Sequence, residues 1–303
     1  MTFNLYFAGS QHSEVEKYIQ QRKASRLFTF ASSTKKLDKY MEESPQSKIF
    51  LDSGAYSKYH LGVDINLDKL IEYINERPQI EVFGQLDDIP YPNLTATTAR
   101  QSGEGSWEKY IYMMDRVVDS QRDKVLPVFH FGEPYCMLER MLETEVHGRL
   151  APYIAFGGRA GVPTKALYAY LDNVFEIVKK SSNPNVKIHA FGITLLSLLE
   201  RYPFYSADST TWLQAGVNGG IYTNVAGMVS VSNRLKGDKT SYWFKPLDLQ
   251  NKIRDEVESF GYNLEDLTEN YRSRLKFNVD YFLRWTETYE HKPHKHMKRR
   301  KLF

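Results

Sequence analysis

Short apolar runs rich in β-branched and aromatic residues recur along the chain, separated by amphipathic stretches of helical period. The runs cover 3–9 (FNLYFAG), 26–32 (RLFTFAS), 48–54 (KIFLDSG), 80–88 (IEVFGQLDD), 124–132 (KVLPVFHFG), 153–158 (YIAFGG), 186–192 (VKIHAFG) and 204–209 (FYSADS). Helical patterns over 13–23, 67–77, 105–121, 133–146, 164–180 and 195–202 fall between most of them. Near-continuous apolar strands alternating with helices predict an α/β fold whose parallel sheet is covered by helices. Eight strands favour a closed (β/α)8, TIM-like barrel over an open doubly wound sheet. Beyond about residue 235 the pattern turns charged and helical, which predicts extra C-terminal helices packed outside the barrel. One domain over 1–290 and a basic tail over 291–303 are therefore expected.

Composition narrows the class. Hydrophobic residues at 42% and charged residues at 25% are ordinary for a globular chain and exclude wholesale disorder. No apolar run approaches the roughly 18 residues of a membrane-spanning helix, so no membrane partner is expected. The N-terminus lacks a basic start followed by an apolar stretch, so a cytoplasmic address is expected, that of the host cell if the chain is phage-encoded. The single cysteine, Cys136, excludes an internal disulfide and a multi-cysteine zinc site. The net charge of +3 is uneven: the last 13 residues, HKPHKHMKRRKLF, hold six Lys/Arg and no acid. Such an end is either an electrostatic arm for nucleic acid or a solvated terminus. Its His291, His294 and His296 are a chance His-rich end more readily than a metal site.

The strand ends carry the chemistry. Six of them close on small or polar residues: Asp52-Ser53-Gly54, Gln85-Leu86-Asp87-Asp88, His130-Phe131-Gly132-Glu133, Gly157-Gly158, His189-Ala190-Phe191-Gly192 and Ser206-Ala207-Asp208-Ser209. In such a barrel the C-terminal strand ends form the active-site face. One Asp there commonly caps a helix and one Gly commonly permits a turn; six such ends together predict a site. No GxxxxGK loop and no GxGxxG after a strand is present, so a nucleotide cofactor is unsupported and none is expected. No HxH or HExxH lies in the strands, which disfavours a barrel metallohydrolase, and no metal is expected. What remains is carboxylate chemistry with Asp52, Asp87, Asp88, Glu133 and Asp208. Two carboxylates at a glycosidic bond can act as nucleophile and acid/base through a covalent glycosyl-enzyme.

These motifs resemble those of the tRNA-guanine transglycosylase superfamily, enzymes that exchange guanine for a 7-deazaguanine on an irregular (β/α)8 barrel. Asp52-Ser53-Gly54-Ala55-Tyr56 is similar to the family's D-S-G-G-aromatic segment. Asp87-Asp88-Ile89-Pro90-Tyr91-Pro92, followed by Ala99-Arg100-Gln101-Ser102, resembles D-E-C-T-P-Y-P followed by A-R-Q-S, with one residue lost before Pro90. Phe129-His130-Phe131-Gly132 stands where the family has V-Q-G-G. Ala155-Phe156-Gly157-Gly158 resembles A-I-G-G, Ala190-Phe191-Gly192 resembles M-G-V-G, and Tyr205–Thr210 resembles the strand of the nucleophile.

The resemblance implies Asp208 as nucleophile, Asp52 as proton-handling carboxylate, and Asp87 as acceptor for the N–H edge of the base. It implies that Tyr56 stacks on a flipped base, that Gly157 and Gly158 offer N–H groups to its carbonyl, and that Gln85, His130 and Phe191 complete the base site. His130 replaces a glutamine of the family. The family's structural zinc needs three cysteines that this chain lacks, so the closer likeness is to the phage 7-deazaguanine DNA transglycosylases. Pieces Phe50–Ser57, Phe129–Glu133 and Arg201–Trp212 carry it. The expected partners are DNA and a free 7-deazaguanine base such as the 7-cyano form. Transfer of the same kind to tRNA, and a catalytically silent nucleic-acid-binding barrel, are the alternatives.

Overall fold

The computed structural model describes residues 3–9, 12–32, 34–90, 94–158 and 162–292. Tyr91 and Pro92 of the sequence motif, and tail residues 293–303 with His294 and His296, lie outside the described residues. From the N-terminus the chain forms β1 (Asn4–Phe7), α1 (Ser13–Gln21), β2 (Arg26–Thr29), α2 (Thr34–Glu43) and β3 (Ile49–Asp52). There follow α3 (Ala55–Leu61), α4 (Leu67–Asn75), β4 (Val82–Gly84), α5 (Ala96–Arg116), β5 (Val125–Leu126), β6 (Val128–His130) and α6 (Tyr135–Glu143). The second half contains β7 (Tyr153–Gly157), α7 (Thr164–Lys180), β8 (Lys187–Phe191), α8 (Leu196–Arg201), β9 (Ser206–Ser209) and α9 (Thr211–Val217). A hairpin of β10 (Gly220–Thr223) and β11 (Gly227–Ser230) precedes α10 (Leu247–Ser259), α11 (Leu264–Glu269) and α12 (Tyr271–Glu287).

The nine parallel strands run in spatial order β5-β4-β3-β2-β1-β9-β8-β7-β6. β5 and β6 are the two halves of the run predicted over 124–132, parted at Pro127, which has no N–H for a ladder. β5 pairs with β4 and β6 pairs with β7, so this one segment joins both margins of the sheet. The Pro127 carbonyl still accepts the Ala155 N–H at 2.8 Å. The result is a nearly closed (β/α)8 barrel with helices between its strands, as the hydrophobic pattern predicts.

Alternation along the strands sorts the side chains into two shells. Tyr6, Phe50, Val82, Leu126, Val128, Tyr153 and Ala155 fill the barrel interior. Their neighbours Phe7, Leu51, Phe83, Phe129, Ile154 and Phe156 face outward into the helical layer. Four elements go beyond the sequence expectations: α2, α3, α9 and the β10–β11 hairpin. α5 also begins nine residues before the expected start at Gly105. Gly103 and Gly105 resemble helix breakers, but a Cβ at 103 would stand 2.9 Å from Met137 Cγ and one at 105 would stand 2.4 Å from Asp88 Oδ2. Close packing, not flexibility, is what places glycine there.

The terminal helices form a second buried layer. α12 packs on α9, β10 and α1, and its Trp285 meets Phe3 edge-on at 5.3 Å. Asn278 on α12 is fully buried; its Oδ1 accepts the Tyr222 N–H and its Nδ2 donates to the carbonyls of Trp212 and Gly220. The chain stays docked past residue 290: His291 meets the Arg201 carbonyl and the Lys292 N–H donates to the Glu200 carbonyl at 2.7 Å. His291 and Lys292, the first two residues of the expected tail, are thus held against the end of α8. Because α8 runs antiparallel to the strands, this exit lies at the end of the barrel opposite the strand C-termini. No helix among the described residues is long and apolar enough to cross a membrane.

Replacing Asn278 by Leu removes three buried hydrogen bonds to the backbone. This should destabilise the chain by about 3 kcal/mol, read as a lowered midpoint in urea unfolding with the slope unchanged. A midpoint equal to wild type would show that the hairpin does not depend on this side chain.

Candidate active site

The inward positions at the strand C-termini bring the expected carboxylates together. Asp52 ends β3 two residues after inward-facing Phe50, and Asp208 lies on β9 two residues after buried Ser206. Phe191 ends β8, packing on Phe50 at 5.3 Å and on the His189 ring at 4.4 Å. Gly84 faces the same space, with Phe191 Cζ at 3.7 Å from the position of an added Cβ. Asp87, in the loop after β4, is 8% exposed, and its Oδ2 lies 2.5 Å from Nε2 of His130 on β6.

The local chain geometry explains these placements. Gly54 has φ of +92°, turning the chain sharply out of β3 into α3, and a Cβ there would meet Ala31 Cβ at 2.5 Å. Its N–H donates to Asp52 Oδ2 at 3.1 Å. The turn leaves Tyr56 on the first turn of α3, 62% exposed, its ring 4.0 Å from that of His60. Tyr56 is thus a surface aromatic beside the mouth and not part of the core. Asp87 and Asp88 do not cap α5; Thr95 does, reciprocally with Thr98. Asp88 turns away from Asp87, pairing with Lys109 while its carbonyl accepts the Ser102 hydroxyl.

Electrostatics differentiates the acids. Withdrawal from water, then the charges of Asp87 and Asp208, push the Asp52 carboxyl up to about 7, only partly offset by the Thr29 hydroxyl and the Gly54 N–H. Burial disfavours the protonated form of His130. The hydrogen bond and charge of Asp87, with Glu133 and Asp88 behind, outweigh that and hold His130 above its ordinary value. Glu133 accepts the His130 backbone N–H at 3.1 Å, and burial pushes it up to about 7. Asp208 Oδ1 receives the Gly192 N–H at 3.4 Å and faces Nε2 of buried His189 at 3.4 Å. His189 stands in a strand-end motif of the sequence, but the family resemblance assigns it no role. The signal was its alternation with Phe191 on one strand, which points both side chains inward.

Two expectations are corrected. Gln85 does not reach the mouth: Val82 and Gly84 face inward, so residue 85 falls on the outer side. There its amide lines a cavity of about 10 Å³ with Ser106, Glu133 and Met137, between barrel and helices. Gly158 is not a free donor for a base. The Gly158 N–H donates to the Phe191 carbonyl at 2.8 Å. Gly157 instead leaves space for the imidazole, since an added Cβ would lie 2.4 Å from His130 Nδ1. No group of three or more His, Cys, Asp or Glu among the described residues is arranged to hold a metal ion.

Asp52 also sets a pH dependence. The unfolded chain ionises it near 3.8, whereas the folded chain holds the proton to about 7. Stability from this group is therefore highest at low pH and declines as pH rises between about 4 and 7. Asp52→Asn should raise the thermal midpoint by a few degrees above neutral pH and leave it unchanged near pH ~4; equal gains at both would contradict the assignment. Gly157→Ala should push His130 off Asp87 and lower the His130 pKa, followed by NMR titration. An unshifted His130 resonance would show that the imidazole has another place to go. No protein-family model and no curated protein matches the chain significantly.

Proposed function

We propose that the barrel exchanges guanine in DNA for a free 7-deazaguanine base, such as the 7-cyano form, through a covalent sugar ester. The observation that carries this reading is the convergence of Asp52, Asp87 and Asp208 at one mouth, with Asp52 proton-bearing near neutrality beside Asp208. Acid and nucleophile roles follow when neighbouring carboxyl groups are driven apart by their surroundings. Asp208 attacks C1′ and forms the ester bond as the C1′–N bond breaks. The leaving guanine takes the electron pair of that bond and a proton from Asp52. The incoming base then attacks C1′, returns a proton to Asp52 and releases the Asp208 carboxylate.

Asp87, oriented by His130, is placed to accept hydrogen bonds from the N–H edge of the base, and exposed Tyr56 to stack on it. A guanine inside a duplex must first be flipped out at a cost of a few kcal/mol. The order of the motifs along the chain, which resembles that of the transglycosylases, supports the same assignment.

The test is incubation with labelled guanine or labelled 7-cyano-7-deazaguanine and either duplex DNA or tRNA. Label should enter DNA, and Asp208→Asn should abolish both incorporation and the covalent adduct while the fold is kept. Incorporation into tRNA alone would replace the DNA reading with its RNA counterpart. No incorporation into either polymer would leave a nucleic-acid-binding barrel without this activity.

A further inference from the structure

A chain of polar side chains runs through the barrel interior beneath Asp208, and the exchange steps above do not use it. The Tyr153 hydroxyl hydrogen-bonds to Ser206 Oγ, which lies 2.5 Å from His189 Nδ1. His189 Nε2 faces Asp208 Oδ1 at 3.4 Å and has no hydrogen-bond partner in this resting geometry. These residues come from three adjacent strands, β7, β8 and β9, and all point inward. The imidazole is fully buried, with Phe50 at 4.7 Å, Phe191 at 4.4 Å and Tyr6 at 6.2 Å between ring centroids.

The chain has one self-consistent direction. If His189 carried its proton on Nδ1, the Nε2 lone pair would face the Asp208 carboxylate in a dry interior, a repulsive contact. With the proton on Nε2, Nδ1 accepts from the Ser206 hydroxyl, Ser206 accepts from Tyr153, and the Nε2–H faces the Asp208 carboxylate instead of a lone pair. A doubly protonated ring is disfavoured, since burial lowers the His189 pKa and the attraction of Asp208 recovers only part of that. The Gly192 N–H reaches the same oxygen, Oδ1, at 3.4 Å. Both donors therefore converge on Oδ1, and among the described residues none engages Oδ2.

We propose that His189 is the positioning residue of the nucleophile, its Nε2–H holding Oδ1 of Asp208 so that Oδ2 is presented for attack. The assignment rests on the exchange reaction proposed above. When Oδ2 bonds to C1′, Oδ1 becomes the carbonyl oxygen of the ester. When the incoming base displaces the ester, the electron pair of the C1′–Oδ2 bond returns to the carboxylate, and the Nε2–H stabilises that charge. A contact that is long at rest and tightens as charge changes is the usual behaviour of such a pair. Ser206 and Tyr153 act one step further back, by fixing which ring nitrogen carries the proton.

Two measurements test this, and they fail independently. Nitrogen-15 NMR of the histidines in the resting chain, with the His189 signals assigned by their loss in His189→Gln, should show a neutral ring protonated on Nε2 at neutral pH. Asp208→Asn should shift those signals, and Ser206→Ala should remove the single tautomer. A ring protonated on Nδ1 overturns the proposal whatever the activity. In the exchange assay His189→Leu should lower kcat by about 100-fold, the scale of losing one preorganised donor, with KM for the free base unchanged. His189→Gln, whose amide can donate from the same place, should restore most of the rate. A Leu variant with full kcat, or one whose loss lies in KM and stability alone, overturns the positioning role. If wild type exchanges no base while the ring is protonated on Nε2, the hold on Asp208 stands and the exchange reading alone is lost.

Discussion

Withdrawal of the Asp52 carboxyl from water, beside two further carboxyl groups, is the constraint around which the upper half of this barrel is organised. Burial raises the Asp52 pKa most, and Asp87 and Asp208 approach closely enough to raise it further. In a medium of low effective dielectric, three neighbouring negative charges would oppose folding. The structure answers in three different ways. Asp52 keeps its proton to about 7, Asp87 is matched by the His130 imidazole, and Asp208 is approached by the Gly192 N–H and by His189. One mouth thus holds an acid, an acceptor and a nucleophile built from the same side-chain type.

That arrangement depends on glycine at two strand ends. Gly54 permits the turn that returns an N–H to Asp52, and Gly157 vacates the volume taken by His130. It depends equally on what lies beneath. Phe50, Phe191 and Tyr6 seal His189 from water, so its one proton must choose between two nitrogens according to its neighbours. Further out, α12 and the β10–β11 hairpin brace α9, the helix that follows the nucleophile strand. Trp212 on α9 donates its indole N–H to the Ala8 carbonyl at the end of β1, which ties that helix to the mouth.

Much of the fold was legible in the chain because a parallel barrel strand advertises itself. It is apolar on both faces, short, and bounded by turn residues. All eight expected strand segments contain strands, and the one split in two is split at a proline. Of the helices missed, α3 and α9 are short, seven residues each. The start of α5 was missed because glycine in a helix is ambiguous: it weakens the helix alone but permits another element to approach closely.

The sequence by itself determined the strand segments, the face on which Asp52, His130, His189 and Asp208 must lie, and the clustering of polar residues at strand C-termini. Those properties are local, set by the two-residue period of a strand. Only the tertiary structure decided that Gln85 falls outside the barrel and that the Gly158 N–H is already engaged. It alone separated Asp87 from Asp88 and lifted Asp52 to about 7. It also joined His189 to Ser206 and Tyr153, residues 17 and 53 positions apart in their hydrogen bonds. Desolvation, Coulomb interaction and hydrogen bonding depend on distance through space, and that distance is fixed only when the barrel closes.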